Sequence, residues 1–485
     1  MKRCAVIGSG IGGLAAALRI RKKGYVVDVF ESNDYPGGKL RELRQGGYRF
    51  DLGPSVFTMP ELVDELFSLY GKDPRNYFRY SKLENSFTCF FPDGTFINSF
   101  SKPSDLVDEI VKKTGESEKK VWAYLGDIEN KYNITKPVFI ENSLHKVKNY
   151  FTREVLWGIL NFHKVGAFKT MKAGNESFFK DKRLVRWLNY FATFVGSNPL
   201  SAPATLNIIP HLVLTKGTYL PEKGMYSLVE ALVKLAKEVG IQFHFNHPVS
   251  EILLKEGRVE GIRLKSGETH KADRVVSNLD VNNTYYHLLP KEKPPLIYLK
   301  QPRSSSIIGF YWGIRGIHAH LNVHNLIFSQ HEENEFEAIF KNKTISDDPS
   351  IYIGITSRKI PMDAPSGCEN WFVIVTAPEM AGQDWDQLVE KARRQVLELT
   401  RKRLNINPDI EVEYVLTPPM IQHWYSSPGG SIYGNNSNSK FSAFLRHPNF
   451  SNKIKGLYFV GGSVHPGAGI PLCLNSAKIV DKIFC

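Results

Sequence analysis

Apolar and polar positions follow two periods along this chain of 485 residues. Residues 3–7 form a short apolar run of β-branched character, 14–23 follow a helical period, and 25–30 form a second apolar run closed by Glu31. Gly8-Ser9-Gly10-Ile11-Gly12-Gly13 stands between the first run and the helix, and Gly24 stops the helix. Strand, glycine turn, helix and strand within about thirty residues is the setting in which such a turn binds a dinucleotide. Further on, apolar side chains at 225, 228, 229, 232, 235, 236 and 239 make one helical face, ended by Gly240. Runs at 241–245, 249–254, 258–264 and 272–277 predict strands, with Glu256-Gly257 turning between the second and third. The last such pattern, 456–471, reads as a strand, a glycine loop and a helix with Pro471 in its first turn.

The glycines have separable tasks. Gly8 permits the tight turn, Gly10 lets the backbone approach a pyrophosphate, and Gly13 lets helix and strand pack closely. The helix N-terminus offers N–H groups and a positive partial charge to the diphosphate. Glu31 is placed to accept hydrogen bonds from the adenosine ribose. A carboxylate there repels a 2′-phosphate, which favours FAD or NAD over NADP. A second glycine doublet in Tyr35-Pro36-Gly37-Gly38-Lys39-Leu40 gives another close approach, with a cation just after it. No second G-x-G-x-x-G occurs, so no nicotinamide site is evident.

Composition narrows the class. Lys and Arg number 62 against 49 Asp and Glu, a net charge of +13 that suits nucleic acid, an anionic bilayer or an acidic ligand. Five scattered cysteines, never spaced C-x-x-C, argue against a disulfide framework or a thiolate zinc site and point to a reducing compartment. The basic N-terminus and the apolar run to Leu18 imitate a signal peptide, but the ordered glycines mark it as fold. The longest segment without charged residues, 187–215, contains Pro199, Pro203 and Pro210 and is not expected to span a membrane.

Three glycine-bearing blocks, at 8–13, 35–55 and 456–471, resemble those of the phytoene desaturase family of FAD-dependent carotenoid desaturases. The finer resemblance is to its 1-hydroxycarotenoid 3,4-desaturases of the flavobacterial type. It is carried by FDLGPSVFTMP (50–60), NIIPH (207–211), QPRSSS (301–306), FYWGI (310–314), His324-Asn325, GCENWF (367–372) and FLRHPNFS (444–451). The resemblance covers essentially the whole chain. It implies an α/β fold: a Rossmann-like FAD-binding domain of the glutathione-reductase and amine-oxidase kind over 1–74, 216–289 and 441–485. An α+β substrate domain, facing the membrane, would be interleaved over 75–215 and 290–440.

By the same resemblance, FAD would contact Gly8, Ser9, Gly10, Ile11, Gly12, Gly13, Glu31 and Ser32, with Val249 meeting adenine. The diphosphate would lie by Gly37, Gly38, Lys39 and Leu40. The isoalloxazine would lie against Gly53, Pro54 and Ser55 and the loop bearing Gly462, Ser463, Gly469, Ile470 and Pro471. Lys39 stands where the wider family often has Arg, which keeps the charge without the bidentate fork. Ser463 stands where many flavoproteins place Asp against the ribityl chain. His465 would face the flavin as a candidate base or a packing residue. The implied reaction introduces a C-3′,4′ double bond into a 1-hydroxycarotenoid such as 1′-hydroxy-γ-carotene, by hydride transfer to flavin. The electron acceptor would be a quinone or O2. A phytoene-type desaturase or a carotenoid isomerase is the alternative enzyme. A non-enzymatic isoprenoid carrier like the GDP-dissociation inhibitors is the alternative of another class.

Between Leu144 and Arg186 ten Lys and Arg face only Glu154, Glu176 and Asp181, interleaved with Tyr150, Phe151, Trp157, Phe162, Phe168, Phe178 and Phe179 and followed by Trp187. Cations attract anionic headgroups and aromatic rings tolerate the interface, so this stretch predicts a peripheral contact with the cytoplasmic membrane, through which a lipid-dissolved substrate enters. No reading motif for nucleic acid accompanies the charge. His318, His320 and His324 are expected on a surface strand or loop without a metal, since no Cys or carboxylate cluster supports them.

Overall fold

The computed structural model describes residues 1–143, 145–442 and 445–484. Leu144 of the basic stretch, Phe444 of the FLRHPNFS block and Cys485 lie outside the described residues.

Five short strands lie parallel in the order Leu457–Phe459, Arg274–Ser277, Arg3–Ile7, Val26–Phe30 and Gln242–His244. Alternation along each strand sends side chains to two faces. Cys4, Val6, Val27, Val29 and Val276 pack with the helices Ile11–Lys22, Ser227–Glu238 and Ile470–Ile483. Ala5, Ile7, Val275, Leu457 and Phe459 pack instead with Ile252, Val259, Ile262 and Leu264. Those four belong to an antiparallel meander, Val249–Lys255, Arg258–Leu264 and Thr269–Lys271. The sheet is thus covered on both sides, as a parallel sheet must be.

The first helix begins at Ile11, three residues before the apolar period suggested, because Gly10 already caps it. The run at 272–277 resolves into the strand Arg274–Ser277, and the meander's third strand, Thr269–Lys271, carries no apolar signal of its own.

A second, seven-stranded sheet has the order Asp409–Leu416, Ser306–Arg315, Cys368–Ala377, Ile351–Ile355, His324–Ile327, Asn85–Phe90 and Phe96–Phe100. All its pairs are antiparallel except that of His324–Ile327 with Asn85–Phe90, where two segments distant in sequence meet. Between residues 103 and 190 the regular elements of the described chain are helices, including Glu118–Thr135, Arg153–Leu160 and Lys182–Tyr190.

The hairpin Arg41–Gln45/Tyr48–Leu52 joins the two sheets through a buried cluster. Arg49 donates to Glu42 Oε2 at 2.5 Å and to Asp51 Oδ1 at 2.7 Å, and faces Asp363 at 3.4 Å. Asp51 in turn accepts from the Met225 and Tyr226 N–H groups at 2.8 and 3.0 Å. One guanidinium compensated by three carboxylates is a tolerable buried charge.

Candidate functional site

Loops leaving the C-terminal ends of the parallel strands converge, which is where open α/β sheets bind ligands. Gly8 N donates to Phe30 O at 2.8 Å, Gly37 N to Ser9 O at 3.0 Å, Asn278 N to Ile7 O at 2.9 Å and Val460 N to Ser277 O at 3.0 Å. Asn278 sits under the glycine turn. A Cβ at Gly10 would lie 2.8 Å from its Nδ2 and one at Gly12 2.9 Å from its Oδ1, so only bare backbone fits. Sequence reading missed Asn278; its signal was its position directly after an apolar strand. The helix Ile11–Lys22 has no acidic residue in its first turn and no side-chain cap, and Ile470–Ile483, entered through Gly469 with Pro471 in its first turn, has neither as well. The helix Glu118–Thr135, by contrast, is capped by Ser117. Uncapped helix N-termini leave N–H donors for an anion.

Glu31 is 5% exposed and heavily engaged. Oε2 accepts from Ser9 N at 2.9 Å and Ser9 Oγ at 2.6 Å; Oε1 accepts from Ser32 Oγ at 3.2 Å and from Asn33 N and Nδ2 at 3.1 Å. His247 N donates to Glu31 O at 2.9 Å, which brings the entrance of Val249–Lys255 alongside. Gly8, Ser9, Gly10, Ile11, Gly12, Gly13, Glu31, Ser32 and Val249 therefore lie in one neighbourhood.

The second doublet joins them, since Gly10 and Gly37 form a parallel bridge and a Cβ at Gly38 would meet Gly10 Cα at 3.3 Å. Leu40 is buried, its N–H on Gly37 O at 3.1 Å. Lys39 Nζ donates to Ile432 O at 2.8 Å. Burial pushes its pKa down to about 8, against the pull of Asp280. Gly53 packs on the Lys39 carbonyl, which a Cβ would approach to 1.9 Å. Pro54 and Ser55 are partly exposed beside it. Ser55 hydrogen-bonds Tyr352, whose hydroxyl meets His324 Nδ1 at 2.7 Å.

At the C-terminal loop, Gly462 faces Ala468, where a Cβ would stand 3.0 Å from the alanine methyl. Ser463 Oγ accepts from Val281 N at 2.9 Å, an inward use of the hydroxyl. His465 is fully buried: Nε2 donates to Asn142 O at 2.9 Å, and Nδ1 has no partner among the described residues. Burial pushes its pKa down to about 3.

Beside this loop lies an apolar cavity of about 120 Å³, which Pro466, Ala468 and Leu472 line on the loop side. Val138, Phe139, Phe162 and Ala167 supply another wall, and Val195, Pro203, Leu206 and Ile209 come from the uncharged segment 187–215. Outside it, Phe151, Trp157, Leu160 and Phe168 are exposed by 75, 49, 76 and 83%, and Lys440, at the cavity wall, lies over the Phe168 ring at 5.6 Å. The aromatic set divides here, since Phe179 and Trp187 are core residues while Phe151 and Phe168 are exposed, a division that composition does not make.

His318 and His320 lie in a turn after Ser306–Arg315 and do not share a strand face. His318 Nδ1 bonds Glu369 at 2.8 Å, and His324 is buried in its strand. Among the described residues no three His, Cys, Asp or Glu gather as a metal site, and no helix is long and apolar enough to cross a membrane.

Residues 11–480 match the family described as flavin containing amine oxidoreductase. The chain is 48% identical to a 1-hydroxycarotenoid 3,4-desaturase of Flavobacterium sp. (strain P99-3), over 100% of this chain and 99% of that one. It is 33% identical to a 4,4'-diapolycopene oxygenase of Methylomonas sp., over 99 and 98% of the two chains. An oxidoreductase from Methanosarcina mazei superposes with a TM-score of 0.66 at 17% identity, covering 99% of this chain and 100% of that one, which shows the shared fold. The crevice suits a dinucleotide on its own terms, with a carboxylate at one end, two open helix N-termini and backbone that tolerates no Cβ. The chain belongs to the flavin-containing amine oxidoreductase family and is an oxidoreductase with FAD as its cofactor.

Proposed function

We propose that this protein is a carotenoid 3,4-desaturase acting on a 1-hydroxylated end group such as that of 1′-hydroxy-γ-carotene. The observation that carries the reading is the apolar cavity running from the C-terminal glycine loop toward the exposed aromatic segment. The relative at 48% identity supports the substrate class. When bound, FAD would supply the acceptor for the hydride that leaves the allylic C–H bond, and the proton from the neighbouring carbon would pass to water.

In this reading Glu31 holds the adenosine ribose beside Ser32 and Val249. The two helix N-termini and Gly37-Gly38 hold the diphosphate, with Lys39 and Leu40 behind them. The segments 53–55 and 462–471 flank the isoalloxazine. The division into 1–74, 216–289 and 441–485 against 75–215 and 290–440 accords with the parallel sheet and the seven-stranded sheet drawing their strands from those respective segments. His465 orients the loop rather than taking a proton, because Nε2 is tied to the Asn142 carbonyl and burial holds the ring neutral. A pH–rate profile that loses an essential group in His465→Gln would overturn that role.

The cavity is narrow against the roughly 300–1,000 Å³ of sites for drug-sized ligands. A long polyene therefore enters by parting the wall at Phe162 and Ala167, next to Phe168. The exposed rings and surrounding cations would hold that wall at an anionic membrane surface on the cytoplasmic side. Electrons then pass to a quinone or O2. The test offers FAD-loaded protein a 1-hydroxycarotenoid in anionic liposomes. Loss of two hydrogens with a red-shifted spectrum is expected, together with flotation that Trp157→Glu/Phe168→Glu abolishes. Bound flavin without turnover would sink the enzymatic reading in favour of a carrier, and flotation unaffected by the substitutions would sink the membrane contact.

A further inference from the structure

Two cations stand in the wall of the apolar cavity, Lys440 and Arg446, and while Lys440 is exposed, Arg446 is buried. Arg446 lines it together with Pro466 and Ala468, and is 4% exposed. Its Nη2 donates to Asn435 O at 3.2 Å and Ser437 Oγ at 3.1 Å. Its Nη1 is buried and has no partner among the described residues. The other arginines buried to this degree face carboxylates: Arg19 meets Glu65 and Asp481, and Arg49 meets Glu42, Asp51 and Asp363. No carboxylate meets Arg446 among the described ion pairs. The nearby Arg303 already has Asp280 at 2.6 Å and acts on Arg446 as a like charge. Burial and Arg303 push its pKa down to about 10, so it remains a cation at neutral pH. A buried cation with an unmade hydrogen bond is costly, and such a group persists where a ligand completes it.

We infer that Nη1 of Arg446 recognises an oxygen at the reacting end of the substrate, the tertiary hydroxyl of a 1-hydroxylated end group. The inference rests on the desaturase reading above and names the group that selects its substrate. Position supports it. The hydroxyl-bearing C-1 is two bonds from C-3, so the oxygen lies within about 4 Å of C-3 and about 5 Å of C-4, the carbons to be desaturated. Arg446 stands at the glycine loop that flanks the isoalloxazine in that reading, with Cζ 3.3 Å from where a Gly467 Cβ would lie. The chemistry of the free donor supports it too. The other arm of the fork is already occupied, and Val138, Phe139 and Leu472 line the space around it. One arm suits a neutral oxygen, whereas a carboxylate is held best by both. A site built to bond a hydroxyl rejects the analogue that lacks it.

The test measures binding to FAD-loaded protein, by quenching of protein fluorescence, for a 1-hydroxycarotenoid and the same carotenoid without the hydroxyl. Wild type should bind the hydroxylated form about 10- to 100-fold more tightly. Arg446→Met should erase that preference by weakening only the hydroxylated ligand, and Arg446→Lys should keep part of it. Thermal melting and flavin retention check that the variants fold. Where Arg446→Met does not fold, Arg446→Gln takes its place, and the wild-type pair decides in any case. Equal wild-type affinities, a preference that survives in a folded Arg446→Met, or tighter binding of a carboxylate-ended carotenoid would each overturn the inference. Mass analysis of the same samples reports on the desaturase reading separately: discrimination in binding without loss of two hydrogens would sink that reading alone.

Discussion

Replacing Glu31 by Gln removes one charge and one acceptor from the ribose end of the cradle, and the structure sets the size of the effect. The carboxylate accepts five hydrogen bonds, two of them from the main-chain N–H groups of Ser9 and Asn33, which cannot reverse. Whichever way an amide turns, its NH2 meets one of those donors. The cheaper orientation directs NH2 toward the partly exposed Asn33 and keeps the oxygen on the buried Ser9. Two charge-assisted bonds from Asn33 are then lost, and Ser32 can rotate its hydroxyl to compensate in part. At about 1.5 kcal/mol for each bond to a charged group, the loss of stability is about 2–3 kcal/mol. In a protein of this size that lowers Tm by roughly 2–3 °C. The ribose hydroxyls lose their anionic acceptor as well, so Kd for FAD should rise roughly 10- to 100-fold. Titration of apoprotein by flavin fluorescence, with a thermal melt of each form, reads both quantities. An unchanged Kd with a lowered Tm would refute the ribose role; unchanged values of both would refute the network argument too.

Two further substitutions test the backbone and the electrostatics. Gly13→Ala would set a Cβ 2.2 Å from Gly8 O, a backbone atom that cannot move without opening the turn, whereas Gly126 in the helix Glu118–Thr135 has nothing within 4 Å. Gly13→Ala should purify without flavin, while Gly126→Ala should stabilise by about 0.5–1 kcal/mol; melting shifts of the same sign would defeat this packing argument. Burial pushes the Glu332 carboxyl from 4.5 up to about 7, against the pull of its Asn189 hydrogen bond, Arg186 and Lys172 and with the push of Glu335. Because the folded pKa is raised, the associated stability is present below pH 4.5 and is lost as pH rises through 7. Glu332→Gln should flatten denaturant midpoints against pH across that window, and a wild-type slope in the variant would count against the assignment.

The cofactor half was legible because its signals are local. Gly8 to Gly13, Glu31, the helix at 225–239 and Pro471 each announce themselves through a period or a turn chemistry that neighbours in sequence suffice to set. What stayed hidden depends on contacts between distant segments. Asn278 is significant only because the turn at Gly10 and Gly12 lies on it. Asp51 and Arg49, part of or next to a recognised block, hold Met225, Tyr226 and Asp363, which no spacing reveals. The strand Asn85–Phe90 pairs with His324–Ile327 from more than two hundred residues away, so its sheet is invisible to any window. Composition likewise merged core rings such as Trp187 with exposed ones such as Phe168, because burial is decided by what packs above them.

The order of strands in the parallel sheet bears on how the chain is made. Leu457–Phe459 is the last strand in sequence and forms one edge, against Arg274–Ser277. Until it has been synthesised, Arg274–Ser277 is itself an open edge, ready to pair with another chain. The glycine loop and second helix N-terminus follow that strand, so the cradle is incomplete throughout most of translation. Domains that close as they emerge from the ribosome can capture a ligand early. Here capture must await the strand Leu457–Phe459 and the glycine loop that follows it, more than four hundred residues after the first glycine turn.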